Sequence, residues 1–358
     1  MTRKEAASIG EMKGREDLSD THDAAKEIEP PKWKKNLLRS SLPLEHDAAR
    51  ILSRRGFSLA SQPYSRVENG IEKEFSIDLR GVKTHGPSAV VHPPAALDVL
   101  VECKYRHRGM NWLFLQEPAA RRDSIQNAVQ GVDLFSPRFA TASWFDDATQ
   151  VPECYSYAEI GEAVTGDDSS GKTGGRESQI KRGVRQLQYA MPSLITLRAR
   201  WSIVRALEEN YPFFFVLILL TNAKLLVGSS DFGVKSVEDA DGVVNLGQEV
   251  PFLLLSANLG PDFYAHARRQ LPSLAAIAGT KNMKLVEESR AKHAMPNWLQ
   301  PSGVISRIAA DGADYEEIAD CMRILVVNID AFDNVLAAID QAFKRKVGSV
   351  KDEPLRTW

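Results

Sequence analysis

The chain reads as an α/β protein: a mixed β-sheet flanked by helices, with an insertion and a C-terminal extension. Three observations predict this class. The segment PFFFVLILLTNA, residues 212–223, is strongly apolar up to its last three residues, as a strand buried on both faces has to be. The segment LDVLVECKYR, Leu97–Arg106, is a second apolar strand, ending in a carboxylate and an ammonium. Between them lies a basic helix, SQIKRGVRQLQYAM, so the order of elements is that of a layered α/β plan.

In chain order, residues 1–40 are polar, charged and without periodicity, which predicts a disordered tail ending in EPPKWKKN. The core is expected over 41–260. It opens with a helix whose apolar positions are Leu44, Ala48, Ile51 and Leu52 and which stops at Gly56. Phe57 begins the first extended segment, FSLASQPYSRV, and a Glu68-Asn69-Gly70 turn returns the chain into a second strand around Phe75–Val82. A loop punctuated by Pro87, Pro93 and Pro94 leads to the Leu97–Arg106 strand. The interval from about 109 to 175 mixes aromatics (Trp112, Phe114, Phe135, Trp144, Tyr155) with turn residues, as expected of an inserted subdomain, and DDSSGKTGG reads as a flexible connection. After the basic helix and the PFFFVLILL strand comes a further strand, PFLLLS. Residues 261–358 form the expected C-terminal α/β extension, with helices near Tyr264 and Tyr315, a strand RILVVNI and a final helix after Phe332.

The candidate chemistry sits at the end of the Leu97–Arg106 strand. Side chains alternate along a strand, so Glu102 and Lys104 share one face while Cys103 points away into a core. An isolated Glu-x-Lys is ordinarily a solvated strand face with an ion pair. Here the neighbouring strand offers Asp78 between Ile77 and Leu79, which would make a second carboxylate available. Asp98 shares the face of Glu102, but four residues of strand rise separate them by roughly 13 Å, too far to share one ion. The same spacing separates Glu74 from Asp78. Glu74 and Asp98 are therefore expected to be solvated strand-end charges.

On these residues the chain resembles the restriction-endonuclease-like, or PD-(D/E)xK, nuclease superfamily, over roughly Leu42 to Gly228. The resemblance implies a metal-binding Asp on the second core strand, matched by Asp78, and an E-x-K on the third, matched by Glu102 and Lys104. It also implies a Glu in the first helix, matched by Glu45, and a Gln on the helix after the third strand. Gln186 matches that Gln, with Gln188 and Gln179 less well phased. Thr221-Asn222-Ala223 resembles a recurrent feature after the fourth strand. The departure is the long interval from Gly109 to Gly175. The implied activity is metal-dependent hydrolysis of phosphodiester bonds in DNA.

The physical logic of such a site stands beside the resemblance. Phosphodiester hydrolysis needs a hard divalent cation, and Mg2+, with Mn2+ as a substitute, takes a few carboxylates and keeps its waters. Asp78 and Glu102 would hold it, with the backbone carbonyl of Cys103 as a further oxygen. Lys104 would position or help deprotonate the attacking water and offset charge on the phosphoryl group.

Length and composition permit this without arguing for it: 358 residues at 43% hydrophobic content can bury a substantial core. No apolar run is long enough to span a bilayer and MTRKEAASIGEMKGRED is not a secretory signal, so a cytoplasmic protein is expected. Cys103, Cys154 and Cys321 form neither a C-x-x-C pair nor an even set, which indicates no zinc site and no disulfide framework. The net charge of −2 does not mark a nucleic-acid binder, but a local patch suffices. Lys181, Arg182 and Arg185 on the basic helix, and Arg106 after the E-x-K strand, are the candidate phosphate contacts.

Two other function classes arise. GDDSSGKT, residues 166–173, satisfies the phosphate-loop pattern, with Asp330 after ILVVNI as an acidic partner. Its context is poor: Gly174-Gly175 follow where a helix should start, and Asp167 and Asp168 would repel phosphate. The second alternative is a nuclease-like fold that binds nucleic acid or protein without cutting; the presence of Asp78, Glu102 and Lys104 together weighs against it.

Overall fold

The apolar stripes of the sequence sort onto the two faces of one central sheet. The computed structural model describes residues 31–68, 70–85, 95–107, 109–116, 123–124, 128–132, 150–161, 178–205, 213–278, 280–281, 284 and 322–352. In chain order the elements are α1 (Lys32–Arg39), α2 (Leu42–Arg54), β1 (Ser58–Ala60), β2 (Pro63–Glu68), β3 (Ile71–Ser76), β4 (Leu79–His85), β5 (Ala95–Lys104) and β6 (Met110–Leu115). Short strands follow: β7 (Asp123–Ser124), β8 (Gln130–Val132), β9 (Gln150–Val151), β10 (Glu153–Cys154) and β11 (Ser156–Gly161). Then come α3 (Gln179–Arg205), β12 (Phe213–Thr221), β13 (Lys224–Gly228), α4 (Val234–Glu238), β14 (Gly247–Val250), β15 (Phe252–Ser256), α5 (Pro261–Ala278), β16 (Arg323–Asn328) and α6 (Phe332–Asp352).

The central sheet runs β1-β4-β5-β12-β16-β15-β10, with β8 pairing the start of β12. It is mixed: β5, β12 and β16 are parallel, whereas β4 and β15 run antiparallel to their neighbours β5 and β16. β12 lies inside the sheet and alternates perfectly between two cores. Phe215, Leu217 and Leu219 pack beneath α3 and α5, and Phe214, Val216, Ile218 and Leu220 pack beneath α2 and α6. Both faces are dry, which is why this strand carries no polar residue before Thr221. α2 lays Leu44, Ala48 and Leu52 on the sheet at four-residue spacing and ends at Gly56, whose φ of +79° a side chain would disfavour.

Several expectations change. Residues 32–39, read as part of a disordered tail, form α1; residues 1–30 lie outside the described residues. The second strand is broken: β2 and β3 make a separate ribbon through the predicted turn, and β4 starts afresh at Leu79 in the central sheet. The interval 109–175 is stitched into the molecule, because β6 and β11 join β13 and β14 in a four-stranded second sheet while β8 and β10 pair with strands of the central one. A division near residue 260 has no counterpart in the sheet. β16 lies between β12 and β15, since an all-apolar ILVV, residues 324–327, needs cover on both faces that only an interior position supplies. The helix near Tyr264 is α5; the one expected near Tyr315 falls outside the described residues. Among the described residues no helix is long and apolar enough to cross a membrane.

Asp98 is the clearest correction. It is fully buried rather than solvated, and its carboxylate is shared by two guanidinium groups. Arg80 of β4 donates from Nε at 2.9 Å, and Arg198 of α3 donates from Nη2 at 2.8 Å and also from Nε. Because β5 is paired on both edges and roofed by α3, a position four residues before Glu102 is deep in the molecule. A charge there persists only with partners of opposite sign.

Candidate functional site

The site forms just before β4 begins. Leu79 pairs with Val101, so the next step of the register would set Asp78 opposite Glu102. The ladder does not take that step. Ile77 donates its N–H to the Gln62 carbonyl at 3.2 Å, and the Asp78 side chain takes over the vacated ladder position, Oδ2 accepting the Cys103 N–H at 2.7 Å. In a strand the N–H and C=O of one residue point to the same edge, so the Cys103 carbonyl is directed to the Asp78 side as well. The Cys103 thiol points the other way into the α2 and α6 core, and burial, then the Asp78 and Glu102 carboxylates, push its pKa far up. It is a packing group, not a nucleophile.

Glu102 is fully buried on the α3 side of β5. Its Oε1 accepts from the Lys104 ammonium, and its Oε2 has no partner among the described residues. Burial pushes its pKa up to about 8; Lys104 opposes this and the neighbouring Asp78 carboxyl, within hydrogen-bonding reach, adds to it. Lys104 also donates to Gln186 Oε1 at 3.0 Å. Glu45, near the start of α2, is partly exposed, and its pKa is raised by desolvation and then by Asp78, with Lys104 opposing. Thus Asp78, Glu102, Lys104, Glu45 and Gln186 converge at the carboxyl end of β5, where ligands of α/β sheets are commonly held. Gln188 and Gln179 do not join them: the Gln188 side chain reaches the Ala257 carbonyl at 3.5 Å, and Gln179 gives its N–H to Glu159 at 3.1 Å. Glu74 is exposed on the β3 ribbon, as expected.

Residues beyond the motif fix this geometry. The Thr221 hydroxyl donates to the Lys104 carbonyl at 2.9 Å, tying the end of β12 to the end of β5. Asn222 clamps Arg106 from both sides, accepting its N–H at 2.6 Å and donating to its carbonyl at 2.7 Å. Ser41, with a left-handed φ of 61°, accepts the Tyr105 N–H at 3.3 Å and so anchors the start of the helix that carries Glu45. At Gly183 α3 comes so near the sheet that a Cβ would lie 2.4 Å from Leu219 Cδ1 and 3.3 Å from Lys104 Cε. This close approach lets Gln186, one turn on, reach Lys104. A glycine inside the basic helix costs about 1 kcal/mol relative to alanine, and that cost was the one signal in the sequence that α3 touches something here.

The candidate phosphate contacts divide. Lys181, Arg182 and Arg185 are exposed on the first turns of α3. Arg106 is not available in that way: its guanidinium pairs with Glu159, and both side chains are largely buried. Glu159 also accepts from Trp112 Nε1 at 3.3 Å as well as from the Gln179 N–H, so Arg106 belongs to a joint that fastens β11 and α3 to the end of β5. The phosphate-loop match at 166–173 lies outside the described residues, and Asp330 is exposed just after β16.

Among the described residues no group of three or more His, Cys, Asp or Glu side chains is arranged to hold a metal. What is available is the Asp78 and Glu102 carboxylates, the latter with its Oε2 unpartnered among the described residues, and the Cys103 carbonyl. That set fits Mg2+, which binds through one or two carboxylates and keeps several waters. Comparison of the chain with protein-family models, curated proteins and solved structures finds no significant match.

Proposed function

We propose that the protein is a divalent-metal-dependent phosphodiesterase acting on nucleic acid, in particular DNA. The observation that carries this reading is the Lys104 ammonium held between Glu102 and Gln186 beside Asp78, with one Glu102 oxygen left unpartnered. Asp78 and Glu102, with the Cys103 carbonyl, would hold Mg2+ or Mn2+; the bound cation supplies charge neutralisation on the phosphoryl oxygens and lowers the pKa of its water. Lys104 orients the attacking water and offsets charge developing on the phosphoryl group. Gln186 keeps that ammonium aimed, and Glu45 adds a carboxyl of raised pKa at the mouth of the site. Lys181, Arg182 and Arg185 offer phosphate contacts that position a strand without reading its bases.

The test is incubation of end-labelled single- and double-stranded DNA and RNA with the protein in Mg2+, Mn2+ or EDTA. Cleavage in metal and none in EDTA is expected. ATP hydrolysis without strand cleavage would instead favour the phosphate loop.

Two further results are expected. Glu102 must lose its proton to take a cation, so affinity for Mn2+, read by calorimetry between pH 6 and 9, should rise about tenfold per unit and level off above about 8. The sign is opposite in the metal-free protein: a carboxyl raised above its ordinary 4.5 favours the fold at low pH, and that contribution is lost as pH rises from 4.5 through about 8. A flat affinity profile would remove Glu102 from the ligand set. Gly183→Ala should cost about 1–3 kcal/mol of stability through overpacking. By shifting Lys104 from Gln186 it should lower cleavage on the order of 10²-fold, with urea unfolding and single-turnover rates as the measurements.

A further inference from the structure

Buried polar atoms without partners are rare in folded proteins, and each one asks for a cause. Arg106 Nε and the Asp340 carboxylate have ionic partners in Glu159 and Lys83. That leaves three buried side-chain oxygens with no partner among the described residues: Gln62 Oε1, Tyr64 Oη and Glu102 Oε2. They do not lie scattered through the molecule. Gln62 and Tyr64 alternate with exposed Ser61 and Pro63, so both turn inward at the start of β2. The Gln62 carbonyl holds the N–H of Ile77, the residue before Asp78. The Tyr64 ring stacks on Phe75 with centroids 5.6 Å apart and belongs to the same buried cluster as Leu100 and Val184. Leu100 precedes Glu102 on the same face of β5, and Val184 lies beside the turn of α3 that carries Gln186. Electrostatically, the Tyr64 hydroxyl feels both Glu102 and Asp78, and burial raises its pKa so that it keeps its proton.

We propose that Gln62 and Tyr64 are positioning residues that hold the hydration shell of a small divalent cation at Asp78 and Glu102. The inference rests on the metal-dependent reading above and adds residues that the motif does not contain. Mg2+ and Mn2+ in such a site keep several waters, and polarised waters are strong donors that need acceptors. Tyr64 Oη, which feels both carboxylates, and Gln62 Oε1, on a side chain that turns inward with it from the same segment, are acceptors without partners among the described residues, and the Tyr64 hydroxyl can in turn donate to an oxygen such as Glu102 Oε2 or a phosphate. The arrangement explains why all three orphaned oxygens occur together. It also accounts for a glutamine and a tyrosine at buried positions whose space leucine and phenylalanine would fill without an unpaired polar group.

The experiment compares metal-free full-length wild type with Tyr64→Phe, Gln62→Leu and Glu102→Gln, reading Mn2+ affinity by calorimetry and electron paramagnetic resonance, and thermal unfolding without metal. Tyr64→Phe and Gln62→Leu are expected to lower Mn2+ affinity about 10- to 100-fold each while leaving the metal-free Tm unchanged or higher, because each removes an unpaired buried group. A purely structural hydroxyl or amide gives the opposite pair of results: a lower metal-free Tm, or failure to fold, for that variant with Mn2+ affinity unchanged in the other, and this overturns the proposal. If Glu102→Gln abolishes Mn2+ binding while Tyr64→Phe and Gln62→Leu bind as wild type does, this inference falls and the phosphodiesterase reading stands. If the wild type binds no Mn2+, both fall.

Discussion

Glu102→Gln is expected to reduce Mg2+- or Mn2+-dependent strand cleavage on the order of 10³-fold or more, with the fold intact. The amide keeps the shape and can still accept from Lys104, so the packing beneath α3 is preserved. What disappears is the negative charge that draws a cation to a fully buried position. Lys104→Ala should produce a loss of similar size but of a different kind: Mn2+ binding persists and kcat falls, because the ammonium acts on water and phosphate. Lys104→Arg should not rescue, since a planar fork cannot occupy the place of a compact ammonium between Glu102 and Gln186. Single-turnover rates and circular dichroism on the three variants are the measurements. Retention of wild-type rates by Glu102→Gln would sink the assignment.

Asp98→Ala is expected to be the most damaging substitution for stability, about 3–5 kcal/mol, out of the 5–15 kcal/mol typical of a whole domain. It strands Arg80, which is itself buried, and releases Arg198 from the sheet. The cost comes from guanidinium groups left dry without a counter-charge, so replacing all three residues by apolar ones of similar volume should recover most of it. Urea denaturation of the single and triple variants separates the two effects. A single variant within about 1 kcal/mol of wild type would mean that water reaches the triad.

The contrast between these residues shows what was legible in the chain. Asp78, Glu102, Lys104 and Gln186 stand out in sequence because alternation and helical phase are local rules, and the structure brings them together. Asp98 obeys the same alternation as Glu102, yet its burial depends on the width of the sheet and on α3 lying across it, neither of which a single strand encodes. The break at Ile77–Asp78 was equally hidden. Apolar alternation continues through it, and only the competition of Gln62 for the Ile77 N–H stops the ladder. Tyr64 and Gln62 read as ordinary strand residues until their missing partners are seen. The position of β16 was invisible for a further reason: strand order is set by which apolar edges meet, and sequence distance carries little of that information.

That strand order has a consequence for how the protein is made. On a ribosome β12 emerges about a hundred residues before β16, yet one long edge of β12 is completed only when residues 324–328 dock against it. Until then a strand apolar on both faces stays partly uncapped, the kind of open template on which nascent chains stick to one another. Asn328 then donates to the Ala223 carbonyl at 2.9 Å, pinning the Thr-Asn-Ala bend that braces Lys104 and Arg106. The acidic and basic groups at the end of β5 therefore become rigid only once β16 has been made, and a chain not yet extended to Asn328 would carry the residues of the site without its geometry.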